Sequence, residues 1–161
     1  MGGGVTEERR ILISNRQRKV SVDCRRMREV AHFVLESLGF EEAELSVVLV
    51  SDRRMQQLNR QYLARDRPTD VLAFAQWEGG GKELHPACMG DVVISAETAA
   101  GQAEHAAVHL NQELDLLLVH GILHLIGYEH TGLPEEAIAM RRKQRQLVRR
   151  IRKRFSPEAG R

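Results

Sequence analysis

Apolar positions along this chain recur with two different periods, and the changes of period mark out the elements. Arg10-Ile-Leu-Ile-Ser14 reads as a short first strand. From Cys24 to Leu38 the period is helical, with Met27, Val30, Ala31, Val34, Leu35 and Leu38 on one face and Gly39 as the stop. Leu45-Ser-Val-Val-Leu-Val50 is β-branched and almost continuously apolar, the pattern of a buried strand. Ser51-Asp52 can cap a second helix that runs to about Tyr62, with Met55, Leu58 and Tyr62 turned inward, and Arg65-Asp66-Arg67-Pro68 breaks it. Val71-Leu-Ala-Phe-Ala75 and Asp91-Val-Val-Ile-Ser95 read as two further strands, separated by a loop containing Gly79-Gly80-Gly81 and Pro86. Beyond Ala96 no segment reads as strand: Glu97–His109 is a weakly patterned helix and Leu110–Ile126 a strongly patterned one. Pro134 then opens a last helix, with Glu135 and Glu136 in its first turn, where the helix dipole favours acids. Without internal repeats, the pattern predicts one α+β domain over residues 1–161, a small sheet with helices packed around it. Residues 1–8 and 156–161 are expected to be disordered tails.

Composition sets bounds on this picture. With 161 residues, 42% hydrophobic and 29% charged, the chain is globular rather than disordered and can bury a core without staples. Cys24 and Cys88 form no CxxC pairing, which argues against a disulfide framework and a thiolate zinc site. Each is expected to be a small, partly buried hydrophobe in a reducing compartment. Met1-Gly-Gly-Gly leads straight into Glu7-Glu8-Arg9-Arg10, which does not look like a signal peptide. The longest apolar stretch, Leu116 to Ile126, contains two histidines and falls well short of the ~20 residues of a membrane span. These features predict a soluble, cytoplasmic protein with no membrane contact.

Net charge is only +2, but its distribution is steep. Residues 1–40 carry +3, residues 41–140 carry −10, and residues 141–161 carry +9. In the last helix Met140, Gln144, Leu147, Val148, Ile151 and Phe155 form a stripe that is apolar except at Gln144, and lysines and arginines cover the rest. The stripe is expected to pack on the domain, leaving the basic face of residues 141–154 either solvated or holding a polyanion such as an RNA backbone by counterion release, the reading favoured over a membrane surface.

The segment His120-Gly-Ile-Leu-His124-Leu-Ile-Gly127-Tyr-Glu-His130 carries the candidate chemistry. Residues four apart on a helix lie about 40° apart around the axis, with Cβ atoms roughly 6 Å from each other. His120 and His124 can therefore converge on one ion at about 2.0–2.1 Å. Gly127 can take a positive φ and turn the chain back, bringing His130 as a third ligand. Three histidines leave the fourth position of a tetrahedral Zn²⁺ open to water, as in catalytic sites. The same spacing occurs in metzincin proteases, which place Glu directly after the first His as general base. Here that position is Gly121, which disfavours peptide hydrolysis. The pair His105 and His109 lacks a third ligand nearby and is expected on a solvated face. Glu113, two turns before His120, is expected to make a structural hydrogen bond, and Thr69-Asp70 and Asp91 to sit at strand starts, either satisfying backbone groups or lining the cleft near the metal.

The histidine segment resembles the His-Gly-x-Leu-His-Leu-x-Gly-Tyr-Asp-His signature of the bacterial YbeY family of rRNA maturation endoribonucleases. Leu58-Asn59 with Arg65-Asp66-Arg67-Pro68-Thr69-Asp70-Val71-Leu72-Ala73-Phe74 resembles that family's upstream motif, and Gly90-Asp91-Val-Val-Ile-Ser95 its third, all in family order. The resemblance implies a mixed four-stranded sheet flanked by helices, with the metal site at the end of a central helix. It implies a zinc-dependent, single-strand-directed endoribonuclease that matures the 3′ end of 16S rRNA and contributes to rRNA quality control. The partners it implies are rRNA, the pre-ribosomal small subunit, ribosomal proteins and an assembly GTPase. Zn²⁺ would be held by His120, His124 and His130, with Arg65 and Asp70 as catalytic residues. This chain departs from the pattern at Glu129 for Asp, at Ala73-Phe74-Ala75 for Ser-Phe-Pro, and at Leu63, where the family has an arginine expected to contact RNA phosphate. Arg60, Arg65 and Arg67 are the candidates to replace it. A metalloprotease and a non-catalytic ribosome-assembly factor with a structural zinc are the competing readings.

Overall fold

The computed structural model describes residues 10–63, 69–76, 88–128 and 131–156. Four strands, β1 (Ile11–Asn15), β2 (Glu44–Val50), β3 (Val71–Ala75) and β4 (Cys88–Ser95), make one sheet in the order β1-β2-β4-β3. β1, β2 and β4 run parallel, and β3 runs antiparallel to β4 at the edge. The helices among the described residues are α1 (Cys24–Ser37), α2 (Asp52–Leu63), α3 (Ala96–Ala106), α4 (Leu110–Leu125) and α5 (Pro134–Phe155). This is the α+β architecture with a small mixed sheet that the sequence implies. The tails expected to be disordered fall outside the described residues except for Ser156.

The near-continuous apolar run of β2 follows from helices covering both faces of the sheet. Leu45, Val47 and Leu49 enter the main core with Val92 and Ile94 of β4, Val30 and Val34 of α1, Leu118 and Ile122 of α4, and Leu147 and Ile151 of α5. Val50 points the other way and joins Met55 of α2, Leu72 and Val93 in a smaller cluster. Caps bound the helices as their residue types suggest. The Asp23 carboxylate accepts from the Arg26 N–H, Ser51 Oγ accepts from the Arg54 N–H, and Ser95 Oγ accepts from the Thr98 N–H.

α4 holds the histidines, and three contacts fix its position. Arg26 of α1 donates two parallel hydrogen bonds to Asp115 at 2.8 and 2.9 Å, and Asp115 is buried. That pair also pushes the Arg26 guanidinium pKa further up, through the hydrogen bond first and charge attraction second. On the sheet side Gly121 lies so close to β4 that an added Cβ would sit 2.6 Å from Val92 Cγ1. At its C-terminus Gly127 (φ 101°) donates to the His124 carbonyl and Tyr128 to the Leu123 carbonyl, the paired closure of a left-handed glycine cap. A second glycine is required at position 90 (φ 130°), where a Cβ would lie 2.1 Å from the Phe74 carbonyl oxygen across the β3–β4 ladder.

Several expectations are corrected. Tyr62 is 57% exposed rather than inward, its ring meeting Phe74 of β3 edge-on at 5.3 Å. Cys88 is exposed at the start of β4, where its Sγ faces Glu44 at 3.5 Å, whereas Cys24 is partly buried as expected. The helix read as Glu97–His109 ends at Ala106, since Ala107 turns left-handed (φ 55°). His109 instead caps α4, its Nδ1 accepting from the Asn111 N–H at 3.1 Å. Asp91 is not at a strand start but within β4, paired with Phe74.

Candidate metal centre and its cleft

His120 and His124 project from the last two turns of α4, four residues apart, so the helix itself aims both imidazoles the same way. Their Nε2 atoms are 3.1 Å apart, with ring centroids at 4.6 Å. Two nitrogens bound tetrahedrally at ~2.0–2.1 Å to one ion lie about 3.3–3.4 Å from each other. The pair thus stands close to the separation that a shared ion requires.

Gln144 of α5 supports this reading. Its Oε1 lies 2.9 Å from His120 Nδ1, and an amide oxygen can only accept, so Nδ1 carries the proton. That tautomer leaves a lone pair on Nε2, the atom facing His124, and fixes the ring plane. Sequence reasoning missed this role, although the signal was present: Gln144 is the one polar residue on the apolar stripe of α5. His130 and the neighbouring Glu129 lie outside the described residues, and among the described residues no group of three His, Cys, Asp or Glu side chains is placed to hold a metal ion.

Beside the histidines opens a cleft of about 370 Å³, lined by Asp70, Gln102, Glu113, Leu117, His120 and Gln144. The backbone of Asp70 is fixed by the Ser95 N–H donating to its carbonyl at 2.9 Å, and Gln102 Nε2 donates to its Oδ2 at 3.3 Å. The structure therefore brings Asp70 to the candidate site. It does not bring Asp91, which shares the α2 face of β4 with Val93 and lines a shallow pocket with Arg10, Glu44, Gln76 and Cys88. His105 is exposed, as expected of the second histidine pair. Arg65 and Arg67 lie outside the described residues, and Arg60 is exposed on α2.

The Glu113 side chain makes no hydrogen bond among the described residues, contrary to the structural bond expected for it. Burial pushes its carboxyl above the usual glutamate range, and the Asp70 carboxylate pushes it the same way. An acid raised in the folded chain costs stability when ionised, fully above its folded pKa and not at all below its unfolded pKa. Glu113→Gln is therefore expected to raise the melting temperature of metal-free protein near pH ~7.5. The gain should vanish as the pH falls below the ordinary glutamate value of ~4.3. Calorimetric melts across that range check this, and an equal gain at both ends would place the effect elsewhere.

Comparison with known proteins adds an independent line. The family model of Endoribonuclease YbeY matches residues 12–152. Endoribonuclease YbeY of Geobacter metallireducens is 45% identical over 139 residues, covering 86% of this chain and 93% of the relative. That of Syntrophotalea carbinolica is 44% identical over 146 residues, covering 90% and 97%. Among solved structures, the solution structure of a Thermotoga maritima protein aligns with a TM-score of 0.66 at 25% identity, over 94% of this chain and 99% of that one.

Proposed function

This chain belongs to the YbeY endoribonuclease family, and from that membership we propose that it is a zinc-dependent, single-strand-directed endoribonuclease of ribosome biogenesis. Its proposed task is maturation of the 16S rRNA 3′ end, with a contribution to rRNA quality control in the cytoplasm. The observation that carries the metal part of this reading is the 3.1 Å approach of His120 and His124 Nε2, with Gln144 holding the His120 tautomer. His120, His124 and His130 would hold the ion. A bound Zn²⁺ would supply Lewis-acid stabilisation of the negative charge that builds on a phosphodiester during cleavage.

The chain's own residues supply the rest. Asp70 presents a carboxylate in the same cleft, where it can take a proton from an attacking hydroxyl. Arg65 is proposed to orient the scissile phosphate through its planar fork, in place of the arginine that Leu63 replaces. The acidic middle of the chain does not attract RNA by bulk charge, so the basic face of α5, within residues 141–154, is proposed to supply that attraction. The proposed partners are rRNA and the pre-ribosomal small subunit, with ribosomal proteins and an assembly GTPase. No described helix is long and apolar enough to cross a membrane. Gly121 weighs against the protease reading, because its Cβ direction is filled by Val92 and Val71.

The test is metal analysis of the purified protein combined with two substrates. About one zinc per chain, cleavage of a single-stranded 16S 3′ precursor fragment and intact casein are the expected results. Cleaved casein with intact RNA would favour the protease. A folded, zinc-loaded protein that binds pre-ribosomal particles yet leaves every RNA intact would favour the assembly factor.

A further inference from the structure

We propose that one flank of α5, the row Arg141, Arg145 and Arg149, is a track that grips the sugar-phosphate backbone of a single RNA strand as it leaves the histidine cleft. This rests on the endoribonuclease reading and adds to it where on the basic helix the strand runs.

Packing around α4 defines which flank is available. Gly121 meets the sheet, Asp115 meets Arg26 of α1, and Glu113 and His120 open into the cleft. The remaining buried face of α4, at Val119 and Leu123, is left for α5. α5 therefore has α1 along one flank and the cleft along the other, and Gln144 marks where it meets His120. At 100° per residue, Arg150 and Arg154 fall on the α1 flank. The structure agrees, since Arg150 lies over the Phe33 ring of α1 at 5.3 Å, and Arg154 lines one cavity with Arg28, His32 and Phe33 of α1. Arg141, Arg145 and Arg149 fall on the opposite flank, the cleft side, and all three are exposed.

Their spacing and their lack of acidic partners point to the ligand. Successive members sit four residues apart, about 6 Å from one another along the helix. That is the reach from one phosphate to the next along an extended strand, so each arginine can take one phosphate in turn. Among the described residues none of the three makes a salt bridge. Like charges four apart on a helix repel each other. An acidic partner relieves that repulsion, and a linear polyanion in register with the row relieves all of it. A duplex curves away from a straight row, whereas a single strand can follow it.

The experiment compares Arg141→Gln/Arg145→Gln/Arg149→Gln with a charge-matched control, Arg16→Gln/Arg18→Gln/Arg25→Gln. The control residues are also exposed but lie on the β1–α1 side. Binding of a single-stranded RNA of about fifteen nucleotides is measured by fluorescence anisotropy from low to moderate salt. The α5 variant is expected to lose at least about tenfold in affinity near 0.1 M salt, with the slope of log K against log salt shallower by about 2, at ~0.7 per lost phosphate contact. The control should keep the wild-type slope, and an RNA too short to extend beyond the cleft should not distinguish the α5 variant from wild type. An α5 variant with the wild-type slope, or with a loss no larger than the control's, overturns the track while leaving the endoribonuclease reading intact. A wild type that fails to bind or cleave RNA at all, or that prefers poly-glutamate to RNA, overturns both.

Discussion

His124→Ala is expected to release zinc and to slow single-turnover RNA cleavage by roughly a thousandfold, the several kcal/mol that metal charge stabilisation supplies. Its melting temperature in the absence of metal should barely move, because His124 is only partly buried at the end of α4. The physical case is the 3.1 Å approach of the two Nε2 atoms, which makes each imidazole half of one binding geometry. Gln144→Leu sharpens the test. It removes the acceptor on His120 Nδ1 without touching either ligand, so zinc affinity should weaken by about 10- to 100-fold. Saturating zinc should then restore most of the rate for Gln144→Leu and none of it for His124→Ala. Zinc stoichiometry and single-turnover rates, taken together across a zinc titration, distinguish the two. Full zinc occupancy and unaltered cleavage in His124→Ala would remove the metal centre from the mechanism.

Much of this site was legible in the sequence because it depends on local spacing. Four residues on a helix place His120 and His124 together whatever the rest of the chain does, and Gly127 had to end that helix with a positive φ. Element order was legible for a similar reason, since β2 could only be a strand covered on both faces and α1 only a helix with one buried stripe. What was not legible depends on residues far apart in sequence. Gln144 stood out as a polar gap in an apolar stripe, but only the packing of α5 on α4 shows that the gap faces His120. Asp70 and Asp91 looked equivalent, each beside a strand start, but Asp70 lies in the turn just before β3 and reaches the cleft, whereas strand parity within β4 sends Asp91 to the α2 face. The inward assignment of Tyr62 failed because periodicity says which way a side chain points but not how much of it its neighbours cover: its ring touches Phe74 edge-on and stays 57% exposed. The charge pattern behaves likewise. The +9 of the C-terminal segment is visible in the sequence, while the division of α5 into an α1 flank and a cleft flank needs the fold.

Gly121→Glu, the change that would create the residue order of a metzincin protease, is expected to abolish folding rather than confer peptidase activity. A Cβ at this position would sit 2.6 Å from Val92 Cγ1, 3.1 Å from Val92 Cγ2 and 3.3 Å from Val71 Cγ2. Val92 is fully buried in the middle of β4 and its β-branched side chain has little rotamer freedom, so it cannot step aside. Overpacking of this kind costs about 1–3 kcal/mol for a methyl group alone. Gly121→Ala measures that part by itself. Alanine regains up to ~1 kcal/mol of helix propensity over glycine, so a net loss of up to about 2 kcal/mol in a urea melt is expected. Beyond alanine, glutamate adds a methylene and a carboxylate pressed against valines, where an ionised group without a partner costs several kcal/mol more. The combined cost approaches the roughly 5–15 kcal/mol by which a domain of this size is stable at all. The expected result is aggregated or unfolded Gly121→Glu protein and a soluble, folded but weakened Gly121→Ala protein that still binds zinc and cleaves RNA. A Gly121→Glu protein that folds with the wild-type melting temperature and hydrolyses casein would show instead that this position opens toward the cleft. Gly121 is thus explained by contact distance alone: α4 needs a side chain of no volume there in order to lie on β4 closely enough to hold His120 and His124 where they are.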